Sequence, residues 1–378
     1  MERVSRGGGT ACAANSPVRT PEQPSVRGIP RLISVVVPTY DRADLIGEAL
    51  DSLAAQSWEA IEIVVVDDGS TDGTADLLER WGAAHPAASL RVLRQPNRGA
   101  AAARNAGAAA ARGEYLYFLD SNDVIAPDAL AMLVAPLLDG AAPFSLAHIH
   151  NTDLAGRPFG DELEGISRQE PGNYFASRWM THAALYRRST FEAVGPFDES
   201  LRRAEDTEHQ WRVLAVAGMG VLIDRFIGIR RIHSRGHLCI GRTAGEGARD
   251  DLAAVRRFLE WAERHGVKSA DMCRSAFLRS AIAAVRSGHA GDWDCHAEAL
   301  SLLHRAQIDR SFARTLAIAV LGRRSRVVHA PFALSLAVLK WFRGRLHAVR
   351  RGGRDGAAMR MSGKPISLRL AQEGGLRA

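Results

Sequence analysis

Paired thiols are missing from this sequence. Its four cysteines, Cys12, Cys239, Cys273 and Cys295, stand singly without a C-x-x-C pair. That argues against a disulfide scaffold or a thiolate zinc site and suits a reducing cytosol. No apolar run approaches the roughly 20 residues that span a bilayer; the longest, Thr315–Leu321 and Ala330–Leu339, are cut off by Arg or Lys. Met1–Pro30 is rich in Gly, Pro and Arg but has no apolar h-region, so no secretory signal is expected. The glycine fingerprints of nucleotide sites are also absent. No G-x-G-x-x-G follows the first apolar run, and no G-x-x-x-x-G-K-[ST] occurs, which argues against dinucleotide dehydrogenases and P-loop NTPases. What is present is 378 residues, 46% hydrophobic and 24% charged, the balance of a globular protein with one large or two ordinary domains.

The formal charge of +7 is unevenly placed. Ser311–Ala378 holds 14 Lys and Arg against 2 Asp and Glu, leaving the remainder at −5. A basic tail on a mildly acidic body suits contact with an anionic surface, and a solvated, partly disordered end accounts for it equally well. Within the tail, Phe332, Leu334, Leu336, Val338, Leu339, Trp341 and Phe342 precede Arg343 and Arg345. That pattern resembles an interfacial helix, with core packing of its apolar part as the alternative.

Regular structure is expected from Ile33. Ile33–Val37 and Ile61–Val66 are short, β-branched and bounded by Pro38 and by the turn Asp67-Asp68-Gly69-Ser70, the marks of buried strands. Leu45, Ile46, Ala49, Leu50 and Leu53 follow helix spacing over Asp44–Ala55. Asp72 is expected to cap the helix through Leu77 and Leu78. Leu90–Leu93 reads as a third strand, Gly99–Arg112 as an Ala-rich helix, and Tyr115–Leu119 as a fourth strand ending at Asp120. Further strands are expected at Ser145–His150, Ala183–Tyr186 and Val221–Ile223, a helix over Glu205–Ala217, and mostly helix from Arg249 to about Ile318. The expected organisation is a flexible leader (1–32), an α/β body (33–245), a helical extension (246–330) and a basic tail (331–378).

Strands alternating with helices at this spacing imply βαβ units and a mostly parallel sheet, with ligands beyond the strand carboxyl ends. Pro38–Arg42, Asp67–Ser70, Gln95–Arg98 and Asp120–Asp123 should then face one crevice. Carboxylates converging there need cations or donors to coexist, and Mg²⁺ or Mn²⁺ carrying phosphates would satisfy them. Asp68 could instead accept from a base or ribose, and Tyr40 offers a face for a base. Singly, each feature is ordinary. An Asp-Asp-Gly-Ser turn usually just caps a helix. Their order at successive strand ends outweighs the ordinary explanation.

Taken together, Val35-Val36-Val37-Pro38-Thr39-Tyr40-Asp41-Arg42, Ile61–Thr74, Asn97-Arg98-Gly99 with Ala103–Gly107, and Gly113–Asp123 make the sequence resemble a family 2 glycosyltransferase, a nucleotide-sugar-dependent enzyme of GT-A fold. Looser matches are Tyr186-Arg187-Arg188, Val194–Glu199, Glu205-Asp206 and Arg230–His233. The resemblance covers about Leu32 to His237. It implies that Pro38, Tyr40 and Asp68 hold the base and ribose, that Arg104 lies near the diphosphate, and that Asp120–Asn122 stands at the D-x-D metal position. It implies Asp206 as the base that deprotonates the acceptor, and His233 as a histidine near metal or phosphate. The expected metal set is thus Asp120, Asn122 and His233, with Mn²⁺ or Mg²⁺ as cofactor. Asn122 departs from the pattern, since an amide ligates without charge and metal affinity should fall unless Asp123 or donor phosphates compensate.

The activity so implied is an inverting single displacement by a hexosyltransferase-type enzyme, from a nucleotide sugar (UDP-linked by preference) to a glycan or lipid-linked acceptor. Processive synthases of the family carry Gln-x-x-Arg-Trp and membrane spans. Here Arg178-Trp179 lacks the upstream Gln, so a non-processive enzyme is expected. The rival class is a non-catalytic sugar-nucleotide or glycan binder that kept the fold, favoured by the lost metal carboxylate. Nucleic-acid binding is not expected, since the basic tail lacks interleaved aromatics beyond Trp341 and Phe342. The expected location is the cytoplasm, with the inner membrane face as the place where the tail would act.

Overall fold

The computed structural model describes residues 29–159, 167–169, 177, 179–232, 243–267, 279–280, 283, 286–288 and 290–305. Nearly all of the expected leader, His233, and the basic tail lie outside these residues, as does the unit Ala317–Ala378; the described residues belong to the compact unit Met1–Leu316.

Strand β1 (Ile29–Thr39) sits among β2 (Ile61–Asp67), β3 (Leu90–Arg94) and β4 (Gly113–Phe118) in the order β3-β2-β1-β4, all parallel. β1 begins four residues earlier than its apolar run. Ile29 N–H donates to the Arg112 carbonyl, and the register shifts before Ile33, around Arg31 at φ 62°. Pro30 and the charged Arg31 interrupt the apolar pattern and hide that start from a hydrophobic reading.

The crossover helices are α1 (Ile46–Ala54), α2 (Thr74–Ala84) and α3 (Ala100–Ala110). α1 buries Ile46, Ala49, Leu50 and Leu53, the stripe its spacing predicts. α2 starts at Thr74 after Gly73 at φ 90°, and Asp72 does more than cap it. Its Oδ1 accepts from Thr74 N–H and Oγ1, while Oδ2 accepts from Ala43 N–H at 3.0 Å. α3 is alanine-rich because it lies hard against the sheet: a Cβ on Gly107 would stand 2.3 Å from Val36 Cγ1.

β5 (Val124–Ile125), α4 (Ala129–Val134), β6 (Phe144–Thr152), β7 (Ala184–Arg187), α5 (Arg188–Val194), α6 (Glu205–Ala217) and β8 (Val221–Arg231) complete the body. The described strands form one sheet, β3-β2-β1-β4-β7-β6-β8-β5. It is mixed rather than uniformly parallel: β7 runs antiparallel to β4 and β6, and β8 runs parallel to β6. Since β4 and β7 oppose, the chain entering β7 lies beside the exit of β4. The 3₁₀ turn Thr181–Ala183, just before β7, is thereby brought to Asp120.

α7 (Ala244–Arg264) opens on a capping box between Thr243 and Glu246 and runs through the glycine-rich stretch where the body was expected to end. It packs with α8 (Trp293–Arg305) in a second apolar cluster. Val255, Phe258 and Trp261 of α7 meet Trp211 of α6 and Leu302 of α8 there. The extension is therefore seated on the helix that carries Glu205 and Asp206.

Candidate active site

The parallel strands end at one edge, and their loops are stitched together there. Asp68 N–H donates to the Thr39 carbonyl at 2.9 Å, Asp41 N–H to Ser70 Oγ at 2.9 Å, and Thr71 N–H to Asp41 Oδ1 at 2.8 Å. Gly69 adopts φ 84°, and an added Cβ would meet Asn97 N at 3.0 Å, so only glycine fits that turn. Pro38 is buried at the end of β1, and Tyr40, next beyond it, is 44% exposed with its ring free to meet a ligand. Asp67 faces inward, accepting from Ser70 N–H and pairing with Arg94. Asp68 is buried, and its carboxylate accepts from Gln95 Nε2, Arg98 N–H and Gly99 N–H at 2.7–2.9 Å. The side chain expected to receive a base thus also holds the β3–α3 loop in place.

Arg104 is the hub of the edge. Its Nη1 donates to Glu205 Oε1 at 2.7 Å and its Nη2 to Asp120 Oδ1 at 2.8 Å, with Phe197 beneath the guanidinium at 5.6 Å. Burial opposes its charge, but Asp120 and Glu205 outweigh that and raise its pKa further. Asp120 is held below the usual range because Arg104 overcomes the burial that would raise it. Arg104 and Glu205 are buried while Asp120 is 35% exposed, and a buried ion pair adds little net stability. Its persistence at the strand ends suits a charged ligand better than a stability role.

Past Asp120 the chain turns, and Asp123 faces back. Asn122 Nδ2 donates to the Arg231 carbonyl at 3.0 Å and its main-chain carbonyl accepts from Arg231 Nε, so the amide nitrogen of the expected ligand is held by β8. Asp123 Oδ1 accepts from Arg231 N–H at 2.9 Å, and its Oδ2 lies 3.3 Å from Nδ1 of His182. Asp120, Asp123 and His182 each bring a ligand atom within 4.8 Å of the others. Burial, then Asp120, push Asp123 well above the usual carboxylate range. Burial pushes His182 down to about 4 against the pull of Asp120, which leaves a neutral ring at pH 7. That ring is 1% exposed and neither of its nitrogens makes a hydrogen bond. Two carboxylates and an orphaned neutral imidazole are a donor set that fits a divalent cation.

Glu205 and Asp206 open α6 behind Ala204, an alanine held at φ 59°. The two acids divide their tasks. Glu205 is buried and bound to Arg104. Asp206 is half-buried, accepting from Thr207 N–H at 2.7 Å and from Thr181 Oγ1 at 3.3 Å. Of the two, only Asp206 keeps partial exposure.

Matches to known proteins cover this same stretch. The family model described as Glycosyl transferase family 2 aligns with residues 34–195. The chain carries a family 2 glycosyl transferase domain. Glycosyltransferase GlyG of Streptococcus pneumoniae serotype 4 is 30% identical over 200 residues, 49% of this chain and 66% of the relative. EpsJ of Bacillus subtilis, described as an uncharacterized glycosyltransferase, is 29% identical over 221 residues, 53% and 61% of the two chains. The chain thus spans somewhat under two thirds of these curated relatives. S. aureus TarS 1-349, solved with UDP-GlcNAc, superposes with a TM-score of 0.52 at 21% identity, covering 74% of this chain and 93% of that fragment. The mannosyltransferase PcManGT of Pyrobaculum calidifontis, solved with GDP-Man and Mn²⁺, gives 0.51 at 21% identity, covering 81% and 79%. The fold of this glycosyl transferase domain is therefore GT-A.

The transferase domain brings Pro38, Tyr40, Asp68, Arg104, Asp120 and Asp206 to one edge. Sequence reasoning passed over His182, whose place depends on the β4–β7 pairing; its only local signal is a histidine just ahead of a strand. His233 lies outside the described residues. Among those residues no helix is long and apolar enough to cross a membrane.

Proposed function

We propose that the chain moves a sugar from a nucleotide-sugar donor to an acceptor hydroxyl by a single inverting displacement, without processivity. The observation that carries this reading is the shared edge, where Arg104 joins Asp120 to the acidic pair that holds Asp206. Asp206 would take the acceptor proton as the acceptor oxygen bonds to the anomeric carbon, and the bond to the diphosphate breaks with its electron pair leaving on oxygen. Arg104 would face the developing charge of that leaving group with donors already fixed in direction. Tyr40 and Asp68 would hold the base and ribose. A divalent cation held by Asp120, Asp123 and His182 would supply electrophilic neutralisation of the diphosphate. Donor choice is proposed as UDP-linked, following the TarS complex, with GDP-linked sugars as the comparison set by PcManGT. Acceptors are proposed to be glycans or lipid-linked saccharides.

The test is a panel of UDP and GDP sugars with Mn²⁺, scored both by thermal shift and by released nucleoside diphosphate. Transfer with inverted anomeric configuration in the product supports the reading. Thermal stabilisation without release from any donor and acceptor would instead establish a non-catalytic binder. Liposome flotation with and without residues 330–378 tests membrane contact, and equal behaviour would remove it.

A further inference from the structure

We infer that His182 supplies a nitrogen ligand beside Asp120 and Asp123, and that its imidazole biases the cation site toward a first-row transition ion such as Mn²⁺ over Mg²⁺. This rests on the transfer reading only in placing the cation at the donor edge.

The argument begins with direction. Asn122 is engaged on both sides by Arg231, through its Nδ2 and through its main-chain carbonyl. His182 shows the reverse condition. It is 1% exposed, it has no hydrogen bond at either ring nitrogen, and one nitrogen lies 3.3 Å from Asp123. An orphaned polar group so deep is costly, and the fold nonetheless directs it at two carboxylates. The turn Thr181–Ala183 holds it there: the Tyr117 hydroxyl donates to the His182 main-chain carbonyl, and Ala183 N–H to the Met180 carbonyl.

Size agrees as well. The three ligand atoms already lie within 4.8 Å of one another, a cluster that one cation could draw together. Mg²⁺ favours oxygen ligands and retains its water. Replacing an oxygen position by imidazole therefore weakens the case for Mg²⁺ more than for a transition ion.

The experiment adds Mn²⁺ to the full chain without nucleotide and records electron spin echo modulation from nitrogen-14 bonded to the ion. Wild type and His233→Ala are expected to show the modulation, and His182→Ala to lose it. Mn²⁺ affinity should fall by about tenfold or more in His182→Ala, with Mg²⁺ binding close to wild type. Bound Mn²⁺ without nitrogen coupling in wild type overturns the inference, as does coupling abolished by His233→Ala. No binding of Mn²⁺ at all overturns it too. The wild-type and His233→Ala spectra decide even if His182→Ala fails to fold. Sugar transfer without nitrogen coupling would refute the ligand assignment alone, whereas coupling without transfer from any donor would refute the enzyme reading alone.

Discussion

Thr181 Oγ1 donates to Asp206 Oδ2 at 3.3 Å. The next residue in the chain is His182, so one short turn touches both the acid assigned to the acceptor and the cluster assigned to the cation. Adjacent positions on this turn diverge because it is a 3₁₀ segment, where neighbouring side chains leave the axis about 120° apart.

Asp206→Asn should lower the transfer rate by about 10²–10⁴-fold, the usual worth of a general base. Nucleotide-induced thermal stabilisation should stay as in wild type, because Asp206 is not part of the donor cradle. An equal loss in donor binding would show that the residue serves the donor instead.

Arg104→Met should destabilise the fold by about 3–5 kcal/mol, since it leaves the Glu205 carboxylate buried without its guanidinium. Adding Glu205→Gln should restore part of that loss, because the remaining charge is removed. Urea unfolding of the single and double variants measures both. Simple additivity of the two changes would contradict a coupled triad.

Gly107→Ala should cost about 1–3 kcal/mol by overpacking, since the new methyl meets Val36 at 2.3 Å. Thermal melting of this variant beside Gly47→Ala, where nothing lies within 4 Å, isolates the close approach of α3 from any general effect of alanine.

His209 gives a pH signature. Burial, then Arg212, push it well below 6.5, and its ring lies against Phe197 at 4.3 Å with Nε2 on the Gly195 carbonyl. Its contribution is whole above pH 6.5. As pH falls from there, the unfolded chain takes up a proton the folded chain refuses, and stability drops. His209→Gln should lower stability at pH 7 through lost packing, yet show a shallower decline between pH 6.5 and about 5 in urea titrations. Parallel declines would sink the assignment.

Legibility followed chain distance. From Ile33 to Asp123, each strand, helix and turn is specified by residues close in sequence, and the edge they form could be read from apolar runs and turn residues. β8 was read as three residues and runs to eleven, Val221–Arg231. Asp224, Arg225, Arg230 and Arg231 break its apolar pattern; pairing with β6 shifts register around Asp224 and Arg225, resumes at Phe226 and continues through Arg230 and Arg231. Glu205 and Asp206 were legible as a pair. Their division of labour was not, since it depends on Arg104 reaching across 101 positions. The place of His182 and the bonds between Asn122 and Arg231 depend in the same way on pairings with β4 and β8.

Ala204 stands in the left-handed region immediately before the acidic pair. A side-chain-bearing residue there is held by its surroundings at a cost of roughly 1–2 kcal/mol. Glycine would occupy the corner without penalty, so Ala204→Gly should melt no lower than wild type while working more slowly. A tense hinge, kept where a relaxed one was available, aims the acids more narrowly than comfort would.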